Sequence, residues 1–277
     1  MKMRLLILFF TIITLTTACN VSKEDEARNI YNMALEAYVN KNYNKSKVLL
    51  DSIIYNYQKE KTVFREAKDL MNIVYRTEQE KSLEFLDSLL TIREEEIKPL
   101  MDQFYIEDDQ ADVPVLIHKR QSASRAYERS YLRAHTDING SFYISSHYTS
   151  ERYIHHNQIR VDVDDEFAVS DTIVNDAYLR YFDDGSQYFE VVKYKKGSDN
   201  GTASFIAQNF NKRVTVTFIG PKSKYRILLT DLDKECIRDT YYLAMLLRES
   251  IQIKSQIRNV KTTLQKTRIQ STLIRND

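Results

Sequence analysis

Three histidines that lie near one another in the sequence are the first candidates for chemistry. His155 and His156 form the only histidine doublet of the chain, and His147 shortly precedes them. Because imidazole is a common metal ligand, this group could bind zinc or another transition metal. Adjacent residues on a strand point to opposite faces, so at most one member of the doublet could join His147. The spacing matches no defined site, and we predict a turn histidine with a packed neighbour rather than a metal.

A cluster of acidic residues follows at the end of a predicted strand. It consists of Asp162, Asp164, Asp165 and Glu166. Oxygen ligands suit calcium, but the twelve-residue pattern of a calcium-binding loop is absent. Because paired aspartates are common in turns, we favour a turn over a calcium site.

Cys236 lies in the first turns of a predicted helix, where the helix dipole would lower the pKa of its thiol. Nucleophilic catalysis also needs a positioned base, and no local motif supplies one. The chain has no Gly-x-Ser-x-Gly elbow, no glycine-rich phosphate loop and no His-Glu-x-x-His motif. We therefore predict no catalytic residues and no cofactor, with a hydrolase of unrecognised site as a third alternative.

Aromatic residues in the same region could form a stacking surface for a glycan or a peptide. Most of these rings should instead lie in the core or in cross-strand pairs. The aromatic residues concerned are Phe142, Tyr143, Tyr148, Tyr153, Tyr178, Tyr181, Phe182, Tyr188, Phe189 and Tyr194.

The N-terminal segment carries chemistry of a different kind. Two cations, Lys2 and Arg4, precede an apolar run, and small residues then lead to Cys19. This order is typical of a secretory signal. The apolar run is shorter than the roughly 20 residues that span a bilayer, although a permanent transmembrane helix and ordinary secretion remain alternatives.

A cysteine directly after small residues resembles the lipobox of bacterial lipoproteins. The looser form here, with Thr16 three places before the cysteine, looks like that of Bacteroidetes lipoproteins. The resemblance implies cleavage after Ala18, acylation of Cys19 and a membrane anchor. Asn20, rather than Asp, follows the cysteine, which favours the outer membrane.

The residues just beyond this cysteine resemble the surface-export signal of the same lipoproteins. Lys23, Glu24 and Asp25 carry that resemblance, which implies exposure on the cell surface. Ser22 as an N-cap with acids in the first turn also predicts a helix start, and both interpretations can hold.

Composition limits the remaining possibilities. Of 277 residues, 29% are charged and 43% hydrophobic, which is ordinary for a folded protein. The formal net charge of +1 gives no electrostatic argument for nucleic acid. If Cys19 carries lipid, Cys236 is left without a disulfide partner.

The first part of the mature chain shows helical periodicity. Ala34 and Ala37 lie on one apolar face, Asn42 interrupts the pattern, and Ser46 and Leu50 begin a second face. This pair resembles one tetratricopeptide repeat, and a third helix follows. Since one and a half repeats cannot form a solenoid, we expect a helical hairpin with an added long helix.

Two apolar stripes with alternating spacings of three and four predict helices that pack together, antiparallel, within one chain. Self-association through the C-terminal helix is the alternative. The first stripe is Leu83, Leu86, Leu90, Arg93, Ile97, Leu100 and Phe104, and the second is Leu243, Leu246, Ser250, Ile253, Ile257, Val260 and Leu264.

Between these stripes the apolar period becomes two, which predicts an antiparallel sheet of about six or seven strands. Ile159, Val161 and Val163 alternate with charged residues, so one face should be buried. Further strands are predicted at 188–194, 203–208, 213–219 and 225–229. Turn signals are Asn139-Gly140, Asp184-Gly185 and Asn200-Gly201, and Thr230 with Asp233 marks the start of the last helix.

Together these patterns predict an α+β fold with a long C-terminal helix packing back on the N-terminal helices. The predicted regions are a signal peptide at 1–18, a helical repeat-like region at 19–106, a connector at 107–130, an antiparallel β domain at 131–229 and a C-terminal helix at 230–277. The predicted function is a lipid-anchored, non-catalytic module of the cell envelope, at the outer membrane, that binds or scaffolds a protein partner. The alternative is a surface lipoprotein that binds a glycan or a peptide through the β domain.

Overall fold

The computed structural model describes residues 22–107, 113–121, 129–174 and 176–274, with side chains as far as residue 267. The predicted signal peptide at 1–18, which ends at Ala18, and the predicted lipidation site Cys19 lie outside the described residues. The described part has an α+β fold, as predicted. Its helices are α1 Lys23–Val39, α2 Tyr43–Asn56, α3 Lys61–Met101, α4 Thr202–Gln208 and α5 Asp231–Ile274.

The strands form two antiparallel sheets. The strands are β1 Phe104–Glu107, β2 Val115–His118, β3 Tyr131–Asp137, β4 Phe142–Ser150, β5 Gln158–Val163, β6 Glu166–Val169, β7 Leu179–Asp183, β8 Tyr188–Tyr194, β9 Thr215–Ile219 and β10 Lys224–Leu228. One sheet has the order β1-β2-β3-β4-β8-β7 and the other β10-β9-β5-β6. The predicted antiparallel sheet is confirmed, and the second sheet was not predicted.

The chain divides into two compact units, of which the helical unit comprises residues 22–85 and 257–274 of the described chain. The N-cap Ser22 accepts a hydrogen bond from the backbone N–H of Asp25, so the predicted helix start is confirmed. Ala34 and Ser46 are fully buried, and the Ser46 hydroxyl donates to the Ala34 carbonyl over 2.9 Å. This close approach of α1 and α2 is the predicted helical hairpin, and the first turns of α3 bury Val63 and Ala67 in the same core.

The β unit comprises the described residues between 86 and 256. Its main core lies between the two sheets, because side chains of β3, β4 and β8 share one apolar cluster with those of β5 and β9. Ile159, Val161 and Val163 point into this core, as the alternation predicted. Hairpins join β3 to β4 and β7 to β8 at two of the predicted turns.

The two long helices also meet within the β unit, and they run antiparallel as predicted. Arg93 pairs with Glu249 over 2.8 Å, and Glu94 pairs with Lys254 over 2.9 Å. Further toward the C-terminal end of α3, a second apolar cluster joins Leu243 to residues of β1, β2 and α3. The last turns of α3 and the first half of α5 thus cover one end of the six-stranded sheet.

Three predictions about elements were wrong. Phe104, predicted as the last member of the first helical stripe, lies in β1, because α3 ends at Met101. Residues 203–208 form α4 rather than a strand, because Ala203 and Ile206, three residues apart, are the pair that the core buries. The described part of the connector predicted at 107–130 contains β2, whose four side chains are all buried. The apolar run of β2 is only a few residues long and has polar residues on both sides. It therefore shows no periodicity from which a strand could be predicted.

The tight β3–β4 turn lies directly against α5. Gly140 has φ +72°, and a Cβ there would lie 2.4 Å from the Ala244 carbonyl oxygen of α5. We expect Gly140→Ala to lower the free energy of unfolding by about 3 kcal/mol, from left-handed strain plus overpacking. Gly185→Ala is the control, since Gly185 has φ +86° but no atom within 4 Å, and it should cost about 1 kcal/mol. Urea denaturation measures both, and equal losses would show that the contact with α5 is unimportant.

Candidate functional site

The six-stranded sheet has one face in the core and an opposite face that lines a cavity of about 400 Å³. We call this opposite face the cavity face. The register of the strands places Arg133 of β3 opposite Ser145 of β4, and Ser145 opposite Lys193 of β8. Since side chains directly opposite one another share a face, the pairing of β3, β4 and β8 brings polar residues from three strands together.

A chain of hydrogen bonds runs across the cavity face. His135 Nε2 lies 2.8 Å from the Ser145 hydroxyl oxygen, and the same oxygen lies 2.8 Å from His147 Nε2. Each imidazole also stacks on a tyrosine ring at 4.4 Å between centroids, His135 on Tyr143 and His147 on Tyr131. The hydroxyl can donate to one imidazole and accept from the other, so both rings can be neutral and satisfied at Nε2.

The environment keeps both histidines in this neutral form. Burial lowers the pKa of His135 well below its usual value, and nearby cations, first among them Arg133, lower it further. Burial and Arg133 likewise lower the pKa of His147 to about 3. Both effects disfavour the imidazolium, since it would be poorly solvated and close to like charges.

Arg133 is itself fixed in place. Its Nη2 donates to the Tyr105 hydroxyl over 2.8 Å and to the Glu107 carboxylate over 3.0 Å. The residue is 6% exposed, so its charge lies in a poorly hydrated setting. Arg180 and Lys193 add two further cations to the lining.

A second polar group lies on the core face of the same sheet. The Ser146 hydroxyl is 2.7 Å from His156 Nε2, and His156 Nδ1 is 2.5 Å from a carboxylate oxygen of Glu190. This is the order of a serine, a histidine and a carboxylate in a hydrolase. All three residues are fully buried, however, so a substrate cannot reach the hydroxyl.

The Glu190 carboxylate instead organises the backbone. It accepts hydrogen bonds from the backbone N–H groups of Ile154, His155 and His156 over 2.6 to 2.8 Å. Burial alone would raise the pKa of Glu190, but the hydrogen bonds from His156 and from the backbone outweigh it and lower the pKa. His155 is held at φ +54°, an unusual conformation for a residue other than glycine. Glu190 therefore stabilises a strained turn.

The three histidines of the sequence analysis are thus separated. His147 points to the cavity face, His156 to the core, and His155 is exposed in the turn. Among the described residues no group of three potential ligands is arranged to hold a metal ion.

The acidic cluster lies at the β5–β6 hairpin. Asp164 and Asp165 form its two-residue turn, with Asp164 at φ +51°. Asp162 pairs with Arg160 and Asp164 with Lys212, which accounts for two of the four carboxylates by ordinary ion pairs.

The prediction of a lowered thiol pKa at Cys236 was wrong. The structure does place a base nearby, since His118 Nδ1 lies 3.4 Å from the sulfur. Cys236 has no exposed surface, and burial raises its pKa to about 12. The thiol is therefore a packing group of α5, because desolvation of the thiolate exceeds any benefit from the helix dipole.

The aromatic residues divide between three settings. Tyr148 and Tyr194 are in the core, and Phe182 stacks on Phe189 at 4.9 Å beside the cavity. Tyr153 is at the surface, where its ring contacts those of Tyr181 and Tyr188. The surface rings pack edge to face on one another, so they offer a ligand little free ring face.

Sequence reasoning missed the central residues of the cavity face, which are Arg133, His135 and Ser145. The only local signal is that Arg133 and His135 alternate with Leu132 and Ala134 at positions that should all lie on one strand. Three polar residues become a site only through the pairing of strands.

The proposed export signal Lys23, Glu24 and Asp25 occupies the first turn of α1. None of the helices in the described part of the chain is both long enough and apolar enough to cross a membrane.

Comparison with known proteins adds no assignment: no protein-family model matches this chain, and no curated protein or solved structure matches it.

Proposed function

We propose that this chain is a lipid-anchored protein of the cell envelope that binds a small ligand through the cavity face of its β unit. The anchor is Cys19, as the lipobox resemblance implies. The observation that carries the binding proposal is the cavity of about 400 Å³, which is lined by charged, aromatic and histidine side chains. Its volume lies within the range typical of small-molecule sites.

A non-catalytic role fits the chemistry of this cavity. Ser145 is flanked by two neutral imidazoles, but a pKa of about 3 makes His147 a weak base at neutral pH. A fixed set of hydrogen-bonding groups around an aromatic wall is the composition of a binding site.

The experiment uses the full chain in detergent on arrays of immobilised glycans and short peptides. Thr149 lines the cavity, and Thr149→Phe should abolish binding of the captured ligand by filling the space. Thr262→Phe, on an exposed turn of α5, is the control and should bind normally. In parallel, Cys19→Ala should remove the chain from the membrane fraction. Binding that survives Thr149→Phe would place the site elsewhere and overturn the proposal.

Protein binding by the helices is the second candidate. Several apolar side chains of the helical unit are exposed, among them Val39 at 70%, Val48 at 68% and Tyr55 at 82%. The space between α3 and α5 in this unit, about 620 Å³, is lined mainly by polar residues such as Asp69, Arg76 and Glu80. As far as the side chains are described, this space is not the wide apolar groove that a scaffold of this kind would present, so we rank this candidate second. If the Thr149→Phe variant captured the same protein partner as the parent chain, that result would favour protein binding by the helices.

A further inference from the structure

The cavity face contains two buried polar atoms without a hydrogen-bond partner. They are Nε of Arg133 and Nδ1 of His135. The residues are 6% and 4% exposed, so bulk water does not satisfy these atoms. A buried polar group without a partner is costly to the folded state, and its retention calls for a reason.

The side chains that carry these two atoms are neighbours on one face of a strand. Arg133 and His135 are two residues apart on β3 and share its cavity face, so their Cα atoms are about 7 Å apart. Ser145 and His147 complete the set, because they fix the far side of the His135 ring.

The hydrogen bonds already made allow both atoms to donate. If Ser145 donates its proton to His135 Nε2, then His135 carries its own proton on Nδ1 and Ser145 accepts from His147 Nε2–H. Arg133 Nε always carries a proton. In this arrangement the cavity face presents two N–H groups, one of them charged.

The charges of the described lining residues favour an anion. Arg133 and Arg180 are cationic. The Glu107 carboxylate pairs with Arg133, and that of Glu190 lies on the core face against His156. In a poorly hydrated cavity an oxyanion would gain charge-assisted hydrogen bonds, which are roughly twice as strong as neutral ones.

The rest of the lining limits the ligand's shape. Phe182 and Phe189, stacked on each other, form an apolar wall beside the polar groups. A ring with one apolar face and one oxyanion substituent matches both parts of the cavity.

We infer that the ligand is a small acidic sugar, of monosaccharide to disaccharide size, whose oxyanion group is bound by Arg133 and His135. The inference rests on the proposed binding function and names the ligand class of the same site. The shared chemistry is the oxyanion, which a carboxylate or a phosphate can supply.

Isothermal titration calorimetry on the full chain in detergent tests this inference with three probes that share one ring. Glucuronate carries a carboxylate, glucose 6-phosphate carries a phosphate, and glucose carries no charge. We expect heat of binding from one or both anions at about 10 mM, above the Kd of a weak site, and none from glucose. The stronger anion identifies the source of the oxyanion.

Arg133→Gln should weaken binding of the anion about tenfold, because it removes the charged donor. Arg160→Gln is the matched control, since Arg160 pairs with Asp162 on the other sheet. The comparison of charged with neutral probes needs no variant, so the test holds even if Arg133→Gln does not fold.

Equal binding of glucose and the two anions would overturn the inference and leave the proposed binding function standing. Binding of neutral glycans or peptides in the array, with no heat from either anion, would do the same. Absence of binding in both experiments would overturn the binding function as well.

Discussion

Between pH 7 and pH 5 the free energy of unfolding of the β unit should fall by about 3 kcal/mol. His135 and His147 have lowered pKa values in the folded protein, the latter about 3, whereas an unfolded histidine titrates near 6.5. Below pH 6.5 the unfolded chain therefore binds more protons than the native one, and stability falls with pH. The stabilisation is complete above pH 6.5 and for His147 is lost progressively down to about pH 3.

The size of the effect follows from linkage. Each such histidine changes stability by about 1.4 kcal/mol per pH unit, which is about 2 kcal/mol between pH 6.5 and pH 5. We assign the full amount to buried His135. For His147 we assign only about half, because its side chain is partly exposed and water screens its interactions. Domains are stable by roughly 5–15 kcal/mol, so this loss is a large fraction of the total.

Urea denaturation at several pH values, followed by near-ultraviolet circular dichroism of the stacked tyrosines, measures the slope. His135→Gln keeps a donor near Ser145 and should reduce the slope by about 1.4 kcal/mol per pH unit. Val161→Ala, in the core, should lower stability at every pH without changing the slope. A slope that His135→Gln leaves unchanged would mean that other groups cause the acid sensitivity.

Glu190→Ala should lower the free energy of unfolding by about 3–5 kcal/mol, because a buried donor left without its acceptor costs roughly 1–3 kcal/mol. The carboxylate is fully buried and accepts from three successive backbone N–H groups and from His156. Its loss leaves all four donors without an acceptor in a site that water does not reach. The strained turn at His155 would lose its support as well.

Urea denaturation of two further variants controls for this result. Glu190→Gln keeps an acceptor oxygen but places an NH₂ group against backbone donors, so we expect a smaller loss, about 2 kcal/mol. Glu166→Ala removes an exposed glutamate and should change stability by less than about 0.5 kcal/mol. If Glu190→Ala resembled Glu166→Ala, the network around His156 would not be a structural anchor.

Local patterns were sufficient to predict most of the elements. The alternation along 159–163 and the turn residues Asn139-Gly140 depend on neighbours in sequence, and both were confirmed. The strand predicted at 203–208 was wrong because a short apolar run is compatible with both a strand and a helix. Only the core, which buries two residues three apart, shows that this segment is a helix. The second sheet also depends on pairing between distant strands, which no local period reveals.

The candidate site was less predictable for the same physical reason. Arg133, Ser145 and Lys193 come from three strands, and only their register makes them neighbours. A slip of one residue would send Ser145 to the core face and Ser146 to the cavity. The histidine doublet His155-His156 was considered as a metal site, but it belongs to a strained turn.

The division of the chain between its two units has a consequence for the order of folding. The β unit is one continuous stretch, residues 86–256, whereas the helical unit joins residues 22–85 to residues 257–274. Chains are synthesised from the N-terminus, and domains generally fold as units as they are completed. The helical hairpin emerges first, yet its unit still lacks the final stretch of α5 when the β unit is complete. Of the two units, the one whose synthesis begins first is therefore the one that finishes folding last.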